Sequence, residues 1–447
     1  MKDLTKGNPI RLLIRFAIPL LIGNLFQLFY SLADTRIVGE TLGEDSLAAI
    51  SATSPVNNLL IGFLCGLTNG FSLIVARHFG AKEEKELKRS VAGTITLGLV
   101  MALLVTILSV TFLRPLMQLL NTPANVFEEA YDYIRVILLG STAAMLYNVC
   151  SGILRAIGDT VTPLLFLVFS SLVNIGLDYL FILKFHTGAE GAAYATVISQ
   201  ILSVLLCLIY IKLRYPLLHL KKSDFSFDSI LISKLMGTGL SMGMMLSLVS
   251  IGTVALQGAI NEFGSDTIVA HAAARKTTEF FMLPFSILGT ALATYSSQNL
   301  GAKKPGRIKY GLRSCILITW VWCLFVILIS YTLLPKIIQL ITATEVQEII
   351  DTAVRYQCFD TLFYFVPAVI TLTRNTMQSI GDRITPLVSS FIELVGKVLI
   401  ALFLAPRIGY WGIIVAEPIV WILMVIPLIV KIRSNPALKG VPASVEG

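Results

Sequence analysis

Long stretches with few or no charges recur along the chain; residues 91–113, 163–183 and 315–334 are three of them. Each exceeds the roughly 18 apolar residues that read as a transmembrane helix. A lipid-facing segment satisfies its backbone only as a helix or in a closed barrel. These runs lack the alternation of barrel strands, so helices are expected. The predicted spans are 10–38, 47–79, 87–113, 129–153, 161–184, 189–214, 232–261, 267–300, 308–333, 348–378, 385–405 and 410–433. That makes an all-α membrane protein of twelve transmembrane helices.

The pattern occurs twice. At a shift of about 221 positions, LGEDSLAAISA (42–52) lies over FGSDTIVAHAA (263–273), and FGAK (79–82) over LGAK (300–303). At nearly the same shift RAIGDTVTP (155–163) lies over QSIGDRITP (378–386). Each repeat holds six spans, an even number, so the two face the same way about a pseudo-two-fold along the membrane normal. The expected division is a six-helix lobe over 1–214, a cytoplasmic linker over 215–234 and a second six-helix lobe over 235–447. Duplicated helix blocks with binding sites in or between them are a common build of secondary transporters.

Hydrophobic residues make up 55% of the chain and charged ones 14%, against about a quarter charged in a soluble domain. The net charge of +8 invites a nucleic-acid reading, which its distribution opposes. Of 35 Lys and Arg, 25 fall on one predicted face, counting Lys439 near the carboxyl end; seven fall on the other and three within spans. This asymmetry sets both termini in the cytoplasm of an inner (plasma) membrane protein. The opening basic residues and apolar run resemble a signal peptide, but the run reaches about residue 38 and is too long for one. Six cysteines lack metal-ligand spacing and read as packing residues. No Walker loop, dinucleotide fingerprint, HExxH or Cys/His cluster appears, so neither an enzyme nor a cofactor is expected. Uphill transport would then draw on an ion gradient, each charge crossing 100 mV being worth about 2.3 kcal/mol.

Ionisable groups inside apolar spans are functional candidates. On the first span Gln27, Tyr30, Ser31 and Asp34 share a stripe; on the fifth, Asn174 and Asp178 are four apart, as are Thr196 and Gln200 on the sixth. The directions of these spans bring Asp34, Asn174, Asp178 and Thr196 to similar depth in the outer part of one bundle. Two carboxylates, an amide and a hydroxyl suit a small cation such as Na⁺, and two close carboxylates can equally hold a shared proton near neutral pH. The competing reading leaves both aspartates at the interface, solvated or paired with Arg36 or Lys184. Pro19 is a hinge or a static kink of the first span. Asn148 and Ser151 either line a cavity or bond between helices.

The second half does not copy this chemistry: position 34 falls on Ala255, and the seventh span has no acid. It carries instead Arg275 and Glu279, Glu393 and Lys397, and Glu417 before Pro418. The first two pairs are spaced i, i+4 and are expected to neutralise each other, the alternative being a second ion or substrate subsite. The Gly158-Asp159 and Gly381-Asp382 segments, each followed by Thr-Pro, read as helix stops, the alternative being a cytoplasmic gate, and helix packing explains His271 about as well as a functional role.

The opening MKDLTKGNPIRLLIRFAIPLLIGNLFQLFYSLADTRIVGETLGEDSLAAISA, ARHFGAK at the end of the second span, LRAIGDT and EGAAYATVIS together resemble the MATE (multidrug and toxic compound extrusion) transporters, most of all their DinF-like branch. The resemblance covers nearly the whole chain. It implies two six-helix lobes in a V, of the MOP type, exporting amphipathic and often cationic organic compounds in exchange for H⁺ or Na⁺. It further implies a cation site at Asp34, Asn174, Asp178 and Thr196, a kinking proline at Pro19, and cavity residues at Gln27 and Asn148. Tyr30 and Gln200 are added to the cavity from their spacing. The NorM-like pattern, with acids on the seventh and tenth spans, is not matched, and Asp360 reads as too near the outer end to replace them. A multidrug antiporter is therefore expected, acting as a monomer on small organic cations or amphipathic drugs, without nucleic acid. The alternatives are a lipid-linked saccharide flippase, which needs many basic cavity residues, and a membrane scaffold or receptor, which needs an extramembrane domain.

Overall fold

The computed structural model describes residues 2–119, 122–226, 228–342 and 346–438; Lys439 of the basic face lies outside them. Seventeen α-helices, and no strand, occur among the described residues. The first eight are α1 (Pro9–Leu42), α2 (Glu44–Ala81), α3 (Glu84–Thr111), α4 (Leu113–Leu119), α5 (Phe127–Leu139), α6 (Ser141–Ala156), α7 (Val161–Tyr179) and α8 (Ala189–Arg214). The rest are α9 (Ser229–Ile260), α10 (Ser265–Gly301), α11 (Pro305–Thr332), α12 (Leu334–Thr342), α13 (Gln347–Thr361), α14 (Phe365–Ser379), α15 (Ile384–Leu399), α16 (Ala405–Ile408) and α17 (Tyr410–Ser434). Ten helices, some extended by an adjoining π or 3₁₀ turn, are long and apolar enough to cross a membrane. The pair α5 and α6, bent by 43°, makes an eleventh.

Two of the expected spans are not continuous. The span over 129–153 bends at Gly140, where an added Cβ would sit 2.2 Å from the Val197 side chain; close packing on α8 requires glycine there. The span over 348–378 breaks at residues 362–364 between α13 and α14. Pro367 has no N–H to give the Phe363 carbonyl, which takes the amide of Val366 instead at 2.9 Å. The breaks fall at corresponding places in the two repeats.

The duplication extends to backbone detail. Gly43 and Gly264, which precede α2 and α10, have φ of 88° and 90°, and Lys82 and Lys303 after those helices have φ of 60° and 58°. Five-residue π turns follow α7 and α15 at Leu180–Lys184 and Ile400–Leu404. The two Gly-Asp turns match as well. Asp159 accepts from the amide and hydroxyl of Thr162 at 3.1 and 2.7 Å, and Asp382 from those of Thr385 at 3.1 and 2.9 Å. They are helix stops of the kind expected.

The chain divides into two compact units. One holds Ile18–Leu246 with the residues up to Thr5; the other holds Lys6–Ala17 with the residues from Ser247 on. The linker region contains short 3₁₀ turns at Pro216–Leu218 and Lys222–Phe225, and Asp228 caps α9 by accepting from the Leu231 amide at 2.7 Å. All six cysteines are free thiols, four of them buried.

Within the first unit α2 and the start of α9 cross backbone to backbone. A Cβ on Gly70 would lie 2.6 Å from both the Gly239 Cα and the Thr238 carbonyl, and one on Gly66 2.6 Å from the Met242 carbonyl. Small residues four apart allow such an approach. Gly70→Ala is therefore expected to cost about 1–3 kcal/mol through overpacking. Gly62→Ala, whose Cβ meets nothing within 4 Å, should leave the thermal midpoint in detergent unchanged.

Candidate functional site: an acidic cluster in the first unit

Three helices of the first unit bring the predicted polar residues together. Asn174 and Asp178, one turn apart on α7, point into the bundle with relative exposures of 1% and 0%. From α1 the Tyr30 hydroxyl donates to Asn174 Oδ1. The Asn174 amide nitrogen reaches Thr196 Oγ1 on α8 at 3.5 Å, and that hydroxyl donates to the Ala192 carbonyl at 3.0 Å. Asp34, one turn beyond Tyr30 and half-buried, lies within electrostatic reach of Asp178 and Tyr30. Neither oxygen of Asp178 accepts a hydrogen bond. The interface reading fails for this residue, and Arg36 is taken by Glu40 at 2.7 Å.

Not every predicted position joins the cluster. Gln27 is exposed and Gln200 half-buried. Asn148 lies deeper along the bundle, its Oδ1 facing the Cys65 thiol at 3.6 Å. Pro19 sits inside an unbroken α1, removing the amide that would bond to the Arg15 carbonyl. Tyr133 on α5, absent from the sequence reading, is within electrostatic reach of both aspartates. Its only sequence signal is a tyrosine in an amphipathic stretch, which interface residues also give.

The second unit holds a network of paired charges. Arg275 on α10 bonds to Glu417 on α17 at 2.9 Å. Glu279 is exposed, so the expected i, i+4 pair of Arg275 and Glu279 does not form. A buried glutamate on the neighbouring helix gains more from the guanidinium than a solvated one. Lys397 does meet Glu393 in its own helix at 3.1 Å, and also Glu417 at 3.3 Å. Arg374 lies 3.6 Å from Glu393 and bonds to Ser389 at 3.0 Å. Asp360, set aside in the sequence, is fully buried with both oxygens unbonded, within electrostatic reach of Glu417, Arg275 and Lys397. His271 packs edge-on against Tyr356 and hydrogen-bonds to Tyr410 at 3.0 Å. Among the described residues no three His, Cys, Asp or Glu side chains group as a metal site.

The family profile of MatE matches residues 19–180 and 241–403, once in each repeat. The chain belongs to the MatE family. It is a prokaryotic MATE-type membrane transporter and not an enzyme. The chain is 29% identical over 388 residues to a probable multidrug resistance protein, YoeA, of Bacillus subtilis, covering 85% of this chain and 83% of that one. It is 26% identical over 310 residues to the FAD transporter of Shewanella oneidensis, covering 68% of each. An outward-facing MATE multidrug resistance transporter of the MOP superfamily superposes with a TM-score of 0.90, at 25% identity and 98% coverage of both chains. A MOP superfamily transporter from Pyrococcus furiosus gives 0.89, also at 25% identity and 98% coverage of both.

Proposed function

We propose that this MatE protein is a secondary antiporter. It exports amphipathic, often cationic organic compounds in exchange for protons loaded at Asp34 and Asp178. The observation that carries this reading is Asp178, fully buried with no donor to either oxygen and with the Asp34 carboxyl beside it. A charge so placed is costly, and a proton shared with Asp34 removes it. The Asn174 oxygen already accepts from Tyr30 and its nitrogen turns to Thr196, so it offers a Na⁺ ion only the second lone pair of that oxygen. Protonation of the pair and occupation of the adjoining cavity by cargo exclude one another, and this couples the two fluxes. Relatives named for multidrug resistance and export support an organic cargo. We assign the first lobe to 1–214, the linker to 215–234 and the second lobe to 235–447, in a monomer of the plasma membrane with both termini cytoplasmic.

A lipid-linked saccharide flippase fits less well: Arg275 and Lys397 are spent on Glu417 and Glu393. The test is ethidium transport in proteoliposomes under separately imposed gradients. A pH gradient should drive it, and a Na⁺ gradient at equal pH should not. Transport driven by Na⁺ alone, or by neither, would refute the proton-coupled reading.

A further inference from the structure

We propose that Arg155, held by Asn69, forms an oxyanion subsite in the first unit that takes the carboxylate or phosphate head group of an exported amphiphile. The proposal rests on the reading of this protein as an exporter of organic compounds and widens its cargo class.

Arg155 occupies the last turn of α6 and is only partly covered. Among the described residues its side chain makes a single hydrogen bond, from Nη2 to Asn69 Oδ1 on α2 at 3.1 Å, and no ion pair. Its polar surroundings are uncharged: Cys65 and Tyr147 lie within electrostatic reach. A guanidinium carries five N–H donors in a planar fork. One is used here, which leaves the geometry that matches a carboxylate or phosphate.

The second unit provides the contrast. There Arg275, Arg374 and Lys397 each lie within 3.6 Å of a glutamate. At the shift that sets Arg155 over Gln378, the acid Glu393 falls on Ser170. The first half thus keeps a cation in its bundle where the acid of the second half has no counterpart. A guanidinium at the end of a bundle helix that meets one amide oxygen and no acid keeps donors available for an anionic ligand.

Position separates this subsite from the acidic cluster. Arg155 lies next to the turn that begins α7, whereas Asp178 is near the other end of that helix, about 25 Å away at 1.5 Å per residue. An anionic head group at Arg155 is therefore spared the repulsion of Asp34 and Asp178.

The test compares binding of carboxyfluorescein, an organic anion, and ethidium, an organic cation, to purified protein with no gradient imposed. Arg155→Gln should weaken carboxyfluorescein binding at least about tenfold, as expected for a lost charge-assisted hydrogen bond, and leave ethidium binding within about twofold. Arg155→Lys, which keeps the charge but not the fork, should lose less and serves if the glutamine variant does not fold. Asp34→Asn should still bind carboxyfluorescein, so the subsite stands even if proton coupling fails. The proposal is overturned if the parent protein does not bind carboxyfluorescein, or if Arg155→Gln binds it equally well. An equal loss of both dyes in a monodisperse variant, which marks a scaffold role, overturns it too. Competition by phosphatidylglycerol that depends on Arg155 would assign the subsite to lipid and overturn the cargo reading.

Discussion

Asp178→Asn is expected to abolish proton-driven export while leaving a folded, membrane-inserted protein. The substitution keeps the shape of the side chain and removes its capacity to exchange a proton. Asp178 has no donor among its neighbours, only the Asp34 carboxyl beside it, and an amide can keep that contact, so the native packing, with Asn174 on the same face, tolerates the substitution. A pH difference of about one unit supplies about 1.4 kcal/mol per proton, which sustains roughly tenfold accumulation of cargo in one-for-one exchange. The variant should show none, and ethidium should only equilibrate. Asp34→Asn should behave in the same way, because Asp178, fully buried and without the neighbouring charge, then keeps its proton instead of exchanging it. Thr196→Val, which removes an acceptor for the Asn174 amide at 3.5 Å and a donor to the Ala192 carbonyl but no titrating group, should slow transport without uncoupling it. Concentrative uptake into everted vesicles, alongside size-exclusion profiles of each variant, checks all three. Parental accumulation by Asp178→Asn would end the assignment.

The helical class, the spans and the duplication are legible in the sequence because lipid imposes length and composition on each crossing. The two broken spans are not. Gly140 inside an apolar run signals nothing until Val197 of a different helix is known to crowd it. Pro367 can start a helix as readily as interrupt one. The grouping of Tyr30, Asn174 and Thr196 could be inferred because spacing fixes the face and span direction fixes the depth. Tyr133 could not, since nothing local separates a tyrosine near two acids from one at the membrane surface. The partner of Arg275 is hidden for a related reason. Glu279 is four residues away, but Glu417 is 142 positions distant, and one sequence does not register a contact that remote. The burial of Asp360 beside Glu417, Arg275 and Lys397 is hidden for the same reason, since those neighbours lie on other helices.

Glu417→Gln is expected to cost about 3–5 kcal/mol, the range for breaking a buried ion pair by removing one partner. A single oxygen of Glu417 meets Arg275 at 2.9 Å and Lys397 at 3.3 Å. Its side chain is 7% exposed, and that of Lys397 3%. Neutralising it leaves Arg275 and the buried Lys397 facing each other with little solvent between them, and Glu393, already shared with Arg374, reaches only Lys397 of the two. Adding Arg275→Met should recover much of the loss, because one cation then leaves with the one anion, Lys397 and Arg374 share Glu393 as in the parent, and the methionine fills apolar volume. Recovery in the double variant separates an electrostatic cause from mere repacking, which a second substitution would worsen. Glu40→Gln gives the contrast: it breaks the pair with Arg36, whose side chains are 62% and 79% exposed, and should not move the unfolding midpoint, as exposed pairs contribute little. Unfolding titrated with sodium dodecyl sulfate measures all three. A Glu417→Gln protein as stable as the parent would mean that Asp360, which shares this environment, ionises in its place. In that case Glu417→Gln combined with Asp360→Asn should show the deficit that the single variant hides.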